Sequence, residues 1–260
     1  MRKTKIICTL GPAVDDEKTL RELMVNGMDA ARINFSHGSH EEHKQRVERF
    51  KKVRDSLKLP IPLLLDTKGP EIRTGKFEHG EIVLKKGDRF ILTNEEVIGD
   101  HTKCSVTYKD LYKDVKEYGR ILLNDGLIEL LIEKIQGGEI HCLVQNGGIV
   151  KNNQGINVPD ANINLPSLTP QDIQDILFGI ENDFDFIAAS FVRRPSDVTN
   201  IRKILEEHGG SEIKIIAKIE NRQGIENFDE ILKVADGIMV ARGDLGVEIP
   251  VEEVPIVQKV

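Results

Sequence analysis

No apolar run in this sequence approaches the ~18–20 residues needed to cross a bilayer, so no membrane-spanning helix is expected. The start, MRKTKIICTLGP, is basic and then apolar. Its apolar stretch is too short for a secretory leader, and no cleavage pattern follows. Cysteine is scarce: Cys8, Cys104 and Cys142 are odd in number, scattered and without metal-ligand spacing. That excludes a disulfide framework and makes reduced thiols in a cytoplasmic protein the expectation. Basic excess is missing too, since 36 Lys and Arg stand against 43 Asp and Glu, a net charge of -7. A general nucleic-acid binder would carry a basic face. Local anion sites survive this exclusion, because a few arginines and backbone amides suffice for them.

What is present is an ordinary globular mixture, 39% hydrophobic and 30% charged, with a clear rhythm. Lys5–Thr9 reads as a strand closed by Gly11-Pro12. Asp15–Asn26 reads as a helix stopped by Gly27, and Ala30–Phe35 as a second strand. Ser39-His40-Glu41-Glu42 has the form of a capping box opening a long helix toward Leu57. Leu63-Leu64-Leu65 is a third strand ending on Asp66. From Glu71 to Pro166 the texture changes to short β-type runs broken by turn signals such as Gln136-Gly137-Gly138, which predicts a small all-β barrel or sandwich. The first rhythm then resumes. A helix begins at Thr169-Pro170, followed by strands at Phe186–Ala189, Ile213–Ile219 and Gly237–Ala241. Helices are expected after Pro195, near Ile225–Val234 and from Val251.

Strands apolar throughout and separated by helices predict a parallel sheet covered on both faces. The fold class is therefore α/β: a (β/α)8 TIM-type barrel, truncated after about six βα units, with the small all-β barrel inserted. In domains this reads as 1–70, the insert 71–166, and 167–260. An open doubly wound sheet is the alternative, but no Gly-rich dinucleotide loop follows the first strand to support it.

Polar residues gather where the expected strands end: Arg32 and Asn34, Asp66 and Thr67, Ser190 and Arg193, Lys218 and Glu220, Arg242 and Asp244. In a parallel barrel those ends open on the face that carries active sites. Lys218 and Glu220 lie two apart in IKIIAKIEN, so both project to one face. A mutual salt bridge is one reading. The other has Glu220 and Asp244 meet across a magnesium ion, with Lys218 neutralising a passing phosphoryl group. Arg32 can grip a phosphate bidentately. Asn34, Ser36, Asp66 and Thr67 supply oxygens suited to a second, larger cation. His37, His40 and His43 lack zinc-helix spacing and are read as solvated residues of a polar helix. VARGDLGVEIP, residues 240–250, carries an Arg-Gly-Asp triplet that could be an adhesion tip, a plain turn or a metal-directed carboxylate.

The segments TKIICTLGPA, ARINFSHGSHEEH, LLLDTKGPEIRTG, FIAASFVRRPSDV, IIAKIENRQGIEN and DGIMVARGDLGVEIP occur in that order. Together they resemble the pyruvate kinase family, in its N-terminal part. The resemblance implies phosphoryl transfer from phosphoenolpyruvate to ADP, giving pyruvate and ATP. It makes Glu220 and Asp244 ligands of Mg2+ (or Mn2+), and Lys218 the group that stabilises the transferring phosphoryl. Arg32 would bind substrate phosphate, and the backbone at Gly243 beside Asp244 the substrate carboxylate. Asn34, Ser36, Asp66 and Thr67 match K+ ligands, and Glu71 resembles the potassium-dependent members. Asn34, Phe35, Ser36, His37 and Arg73 match nucleotide contacts. It also implies a cytoplasmic homotetramer for the parent, with no nucleic-acid or membrane partner.

Two departures qualify that picture. Gln154 stands where the family carries a basic residue, with Lys151 nearby as a substitute. The family's seventh-strand threonine and its C-terminal domain have no counterpart here. The alternative reading is thus a catalytically incompetent fragment with weak metal or phosphate binding. Another magnesium-dependent barrel enzyme, a lyase or aldolase, is a third, opposed by the insert and the potassium-site residues.

Overall fold

A computed structural model describes residues 3–159 and 161–259. The chain divides into two compact units. The first holds the chain up to Gly69, then Ser167–Ile219 and Asn227–Met239. Its sheet contains β1 (Ile7–Thr9), β2 (Ala30–Asn34), β3 (Leu63–Asp66), β4 (Phe186–Ala189), β5 (Lys214–Ile219) and β6 (Gly237–Val240). Spatial order equals chain order across all 6 strands, and the pairings from β1 through β5 are parallel. A doubly wound sheet reverses its strand order at a switch point; this one does not. The architecture is α/β of the barrel type.

Burial explains the strand sequences. Leu63, Leu64 and Leu65 are all 0% exposed, as they must be in a strand covered on both faces. Helix α1 (Glu17–Val25) is capped by Asp16, whose side chain accepts from the Thr19 amide, and it buries Leu20 and Met24. Helix α2 (His40–Leu57) starts at the capping box of Ser39 and Glu42 and ends at Lys58 in the left-handed region. It buries His43, Val47, Phe50 and Val53, a stripe along one side. Helix α3 (Pro170–Glu181) begins at a second box, in which Thr169 and Asp172 satisfy each other's amides. Helix α4 (Pro195–Glu207) packs Val198, Ile201 and Leu205 inward.

The second unit holds Pro70–Pro166, Glu220–Glu226 and the chain from Val240 onward. It contains a 7-stranded sheet and a 2-stranded ribbon. Strand Ile128–Gln136 buries Ile128, Leu130 and Ile132 and turns the residues between them outward, the period-2 pattern of a half-buried strand. Gly137 and Gly138 both take positive φ, 60° and 87°. That conformation lets a two-residue hairpin match the twist of its strands. Cys104 and Cys142 lie in this core, where burial pushes both thiols up to about 12.

Three expectations need correction. The helix expected near Ile225–Val234 is two short helices, Arg222–Glu226 and Phe228–Leu232. Arg242 and Asp244 do not end a strand; they open helix Arg242–Glu248. The helix expected from Val251 is the single turn Val254–Val257. Gly243 and Gly246 are poor helix formers. Burial of Leu245 and Ile249, four apart, against Val254 carries the Arg242–Glu248 helix instead.

Candidate functional site

The first unit collects its polar side chains at the ends of β2 to β5. Register sets this up: Asn34 is the Cα partner of Asp66, and Asp66 in turn of Ala188. Asp66, the last residue of β3, is 1% exposed and joins two cations. Arg32 Nε donates to its Oδ2 at 2.5 Å, and Lys218 Nζ lies 3.0 Å from its Oδ1. Arg32 Nη1 also donates to Thr9 Oγ1 at 2.7 Å. The Lys218 side chain is 10% exposed and that of Arg32 26%. Two cations held on one carboxylate in a partly enclosed place are fixed donors that need no reorganisation to meet an anion.

The neighbouring backbone is equally constrained. Asn34 Oδ1 accepts from the Ser36 amide at 3.0 Å, and the Phe35 amide donates to the Asp66 carbonyl at 2.9 Å. Thr67 donates its amide to the Ala188 carbonyl at 3.0 Å. Asn34, Ser36, Asp66 and Thr67 therefore cluster at two adjacent strand ends. Their donors are all oxygen, the chemistry a hard cation such as K+ requires.

The three histidines do not share one environment, and the reading as solvated residues fails for His43. His37 is exposed. His40 Nε2 lies 2.6 Å from Oδ1 of buried Asp175. His43 is 2% exposed and stacks on Phe35 with ring centroids 4.2 Å apart. Neither ring nitrogen of His43 has a hydrogen-bond partner among the described residues. Burial, reinforced by Arg46, holds its pKa below the ordinary 6.5, against weaker upward pulls from Asp175 and Glu42.

A lowered histidine pKa means the folded state binds fewer protons than the unfolded chain. His43 then contributes fully above about pH 6.5, and that contribution is lost as the pH falls through the folded value. Urea unfolding of the wild-type chain should lose more stability between pH 7 and 5 than that of His43→Leu. Parallel declines in the two proteins would rule this assignment out.

The remaining predicted site residues lie in the second unit. Glu220, immediately after β5, is 1% exposed. Asp244 and Gly243 are exposed in the first turn of Arg242–Glu248. A Cβ at Gly243 would meet nothing within 4 Å, so the space beside that backbone is open. Among the described residues no set of 3 or more His, Cys, Asp or Glu side chains could hold a metal alone. A divalent ion at Glu220 and Asp244 would complete its shell with water or ligand oxygens, as magnesium does when it serves phosphates. Arg73 is tied down: Nη2 lies 2.6 Å from Glu71 Oε2, and Nη1 donates to the Asn153 carbonyl at 2.8 Å. Gln154 spends its side-chain amide on Asn124 Oδ1 at 3.0 Å.

Thr9 and Ser190 also contribute; the sequence marks Ser190 only as one more polar strand end and gives Thr9 no signal of its own. Among the described residues no helix is long and apolar enough to cross a membrane.

Comparison with known proteins is consistent along the whole chain. The family model described as pyruvate kinase, barrel domain, matches residues 1–260. Pyruvate kinase of Clostridium perfringens is 52% identical over 260 residues, covering 100% of this chain and 55% of that protein. The Staphylococcus haemolyticus pyruvate kinase is 56% identical over 261 residues, 100% of this chain and 44% of its own. That of Geobacillus stearothermophilus is 54% identical over 260 residues, 99% of this chain and 44% of its own. The chain thus spans about half the length of the curated relatives it matches.

Proposed function

The chain belongs to the pyruvate kinase family, and from that premise we propose that it carries the residues that transfer a phosphoryl group from phosphoenolpyruvate to ADP. The observation that supports this best is the Arg32–Asp66–Lys218 chain: two cations oriented on one buried carboxylate. Phosphoryl transfer asks a protein mainly for positioning and charge stabilisation. Arg32 orients the substrate phosphate through the exposed part of its guanidinium. Lys218, anchored at the end of β5, sets its ammonium against the charge that builds on the phosphoryl oxygens. Asp66 keeps both cations in place. The backbone at Gly243, open to a ligand, receives the substrate carboxylate. Asn34, Phe35, Ser36, His37 and Arg73 take the nucleotide.

Glu220 and Asp244 would hold Mg2+ or Mn2+, and Asn34, Ser36, Asp66 and Thr67 would hold K+; bound there, the cations supply positive charge for phosphate oxygens. Glu71, engaged with Arg73, contributes no ammonium that could stand in for potassium.

Because the chain spans 55% or less of the relatives above, a second reading has weight: these 260 residues bind metal or phosphate weakly but do not turn over. One coupled assay of pyruvate formation separates the readings, run on this chain and on the full-length protein carrying it. Magnesium-dependent, potassium-stimulated turnover is expected from the full-length protein, and little from the chain alone. Absence of such turnover in the full-length protein would sink the first reading. Robust potassium-stimulated turnover by the chain alone would sink the second.

A further inference from the structure

Lys218 Nζ has another oxygen besides Asp66 within reach: Ser190 Oγ, at 2.7 Å. The direction of that bond follows from proton accounting. A serine hydroxyl has one proton to give, and the shortest contact available to Ser190 Oγ as donor is the Thr67 carbonyl, at 2.6 Å. The contact from Oγ to Asp66 Oδ1 is longer, 3.2 Å. With its proton committed to Thr67, the hydroxyl turns a lone pair toward the ammonium. Thr67 returns the favour, its Oγ1 accepting from the Ser190 amide at 3.1 Å. The two residues lock strand ends β3 and β4 together, with Lys218 held from β5.

The backbone around the hydroxyl is fixed from two sides. Phe191 follows at φ 55°, a left-handed conformation that a bulky residue adopts only when its surroundings over-determine it. Gly69, at φ 71°, packs against Ser190 so closely that an added Cβ would lie 2.9 Å from Ser190 Cβ and 3.0 Å from its carbonyl oxygen. The Gly69 amide is itself tied to Oδ1 of buried Asp172 at 2.9 Å. Such a cradle restricts where the Ser190 side chain can lie.

We propose that Ser190 is a positioning residue for Lys218. Its hydroxyl shares the ammonium with Asp66 and fixes its direction, so that the charge stays aimed at the transferring phosphoryl group. A lysine ammonium is a point charge on a flexible stem. With the hydroxyl gone, the carboxylate 3.0 Å away still holds the ammonium, but its direction is no longer fixed from β4. The proposal rests on the phosphoryl-transfer reading above.

The test is a double-mutant cycle in the full-length protein, using Ser190→Ala, Lys218→Met and the pair, with thermal melting as a folding control. Ser190→Ala should lower kcat about tenfold, the worth of one charge-assisted hydrogen bond, and leave KM for phosphoenolpyruvate within about twofold. In the Lys218→Met background the same change should cost nothing further. Ser190→Cys keeps the bulk but offers only a weak acceptor, and should be as slow as Ser190→Ala. Recovery of kcat in Ser190→Cys would assign the residue to packing and overturn the proposal, as would an additive loss in the cycle. Near-normal turnover by Lys218→Met would remove Lys218 from its assigned role and the positioning role of Ser190 with it, whereas absence of pyruvate formation in the unsubstituted full-length protein would remove the phosphoryl-transfer reading itself. A slow Lys218→Met with an unaffected Ser190→Ala removes only the positioning role.

Discussion

Lys218→Met should lower kcat for pyruvate formation in the full-length protein by at least roughly 10²–10³-fold, the loss seen when one preorganised transition-state donor is removed. KM for phosphoenolpyruvate should move only a few-fold. Arg32 would still grip the phosphate, and an interaction made mainly in the transition state appears in kcat rather than in binding. Methionine matches the length of the lysine stem, so packing around β5 is largely retained. Asp66 loses one cation but keeps Arg32, bound at 2.5 Å, so the carboxylate is not left without a counter-charge. A melting temperature close to wild type should therefore accompany the catalytic loss. Near-normal turnover with substrate binding intact would remove Lys218 from its assigned role. A collapsed, unfolded variant would instead place the residue in the stability of the sheet.

Much of this arrangement could be read before any coordinates, for identifiable reasons. Leu63-Leu64-Leu65 had to be a doubly covered strand, and Asp66 directly after it had to mark a strand end. The box at Ser39 and the Thr169-Pro170 pair marked two helix starts, and at both the side chains and amides pair locally. Tertiary context was harder to read. The Arg242–Glu248 helix has two internal glycines, so its local signal points to a turn, and only the packing of Leu245 and Ile249 makes it helical. The charge along most of α2 points to a solvated His43. Yet it stands four residues before Val47 and seven before Phe50, on the buried stripe, and that spacing was available as a signal. The hydrogen bond from Lys218 to Ser190 had no such signal. Its direction depends on a carbonyl of Thr67, 123 residues away in sequence.

Asp66→Ala is the second substitution with a large expected effect, and it separates two roles of one carboxylate. As a ligand of K+, Asp66 would matter only when potassium is bound. As the acceptor shared by Arg32 and Lys218 it matters always. Asp66 is 1% exposed, and removing the anionic member of a buried pair leaves charges uncompensated, typically at about 3–5 kcal/mol. The 26% exposure of the Arg32 side chain lets water relieve part of its charge, so about 3 kcal/mol is the fitting expectation. Urea unfolding in potassium-free buffer should show this loss, since no bound ion is then at stake. Asp66→Asn, which keeps the shape and an acceptor oxygen, should lose less stability while still impairing turnover. If Asp66→Ala unfolds like wild type without potassium and differs only when the ion is added, the carboxylate serves the ion alone. Lys218 and Arg32 would then owe their positions to other contacts.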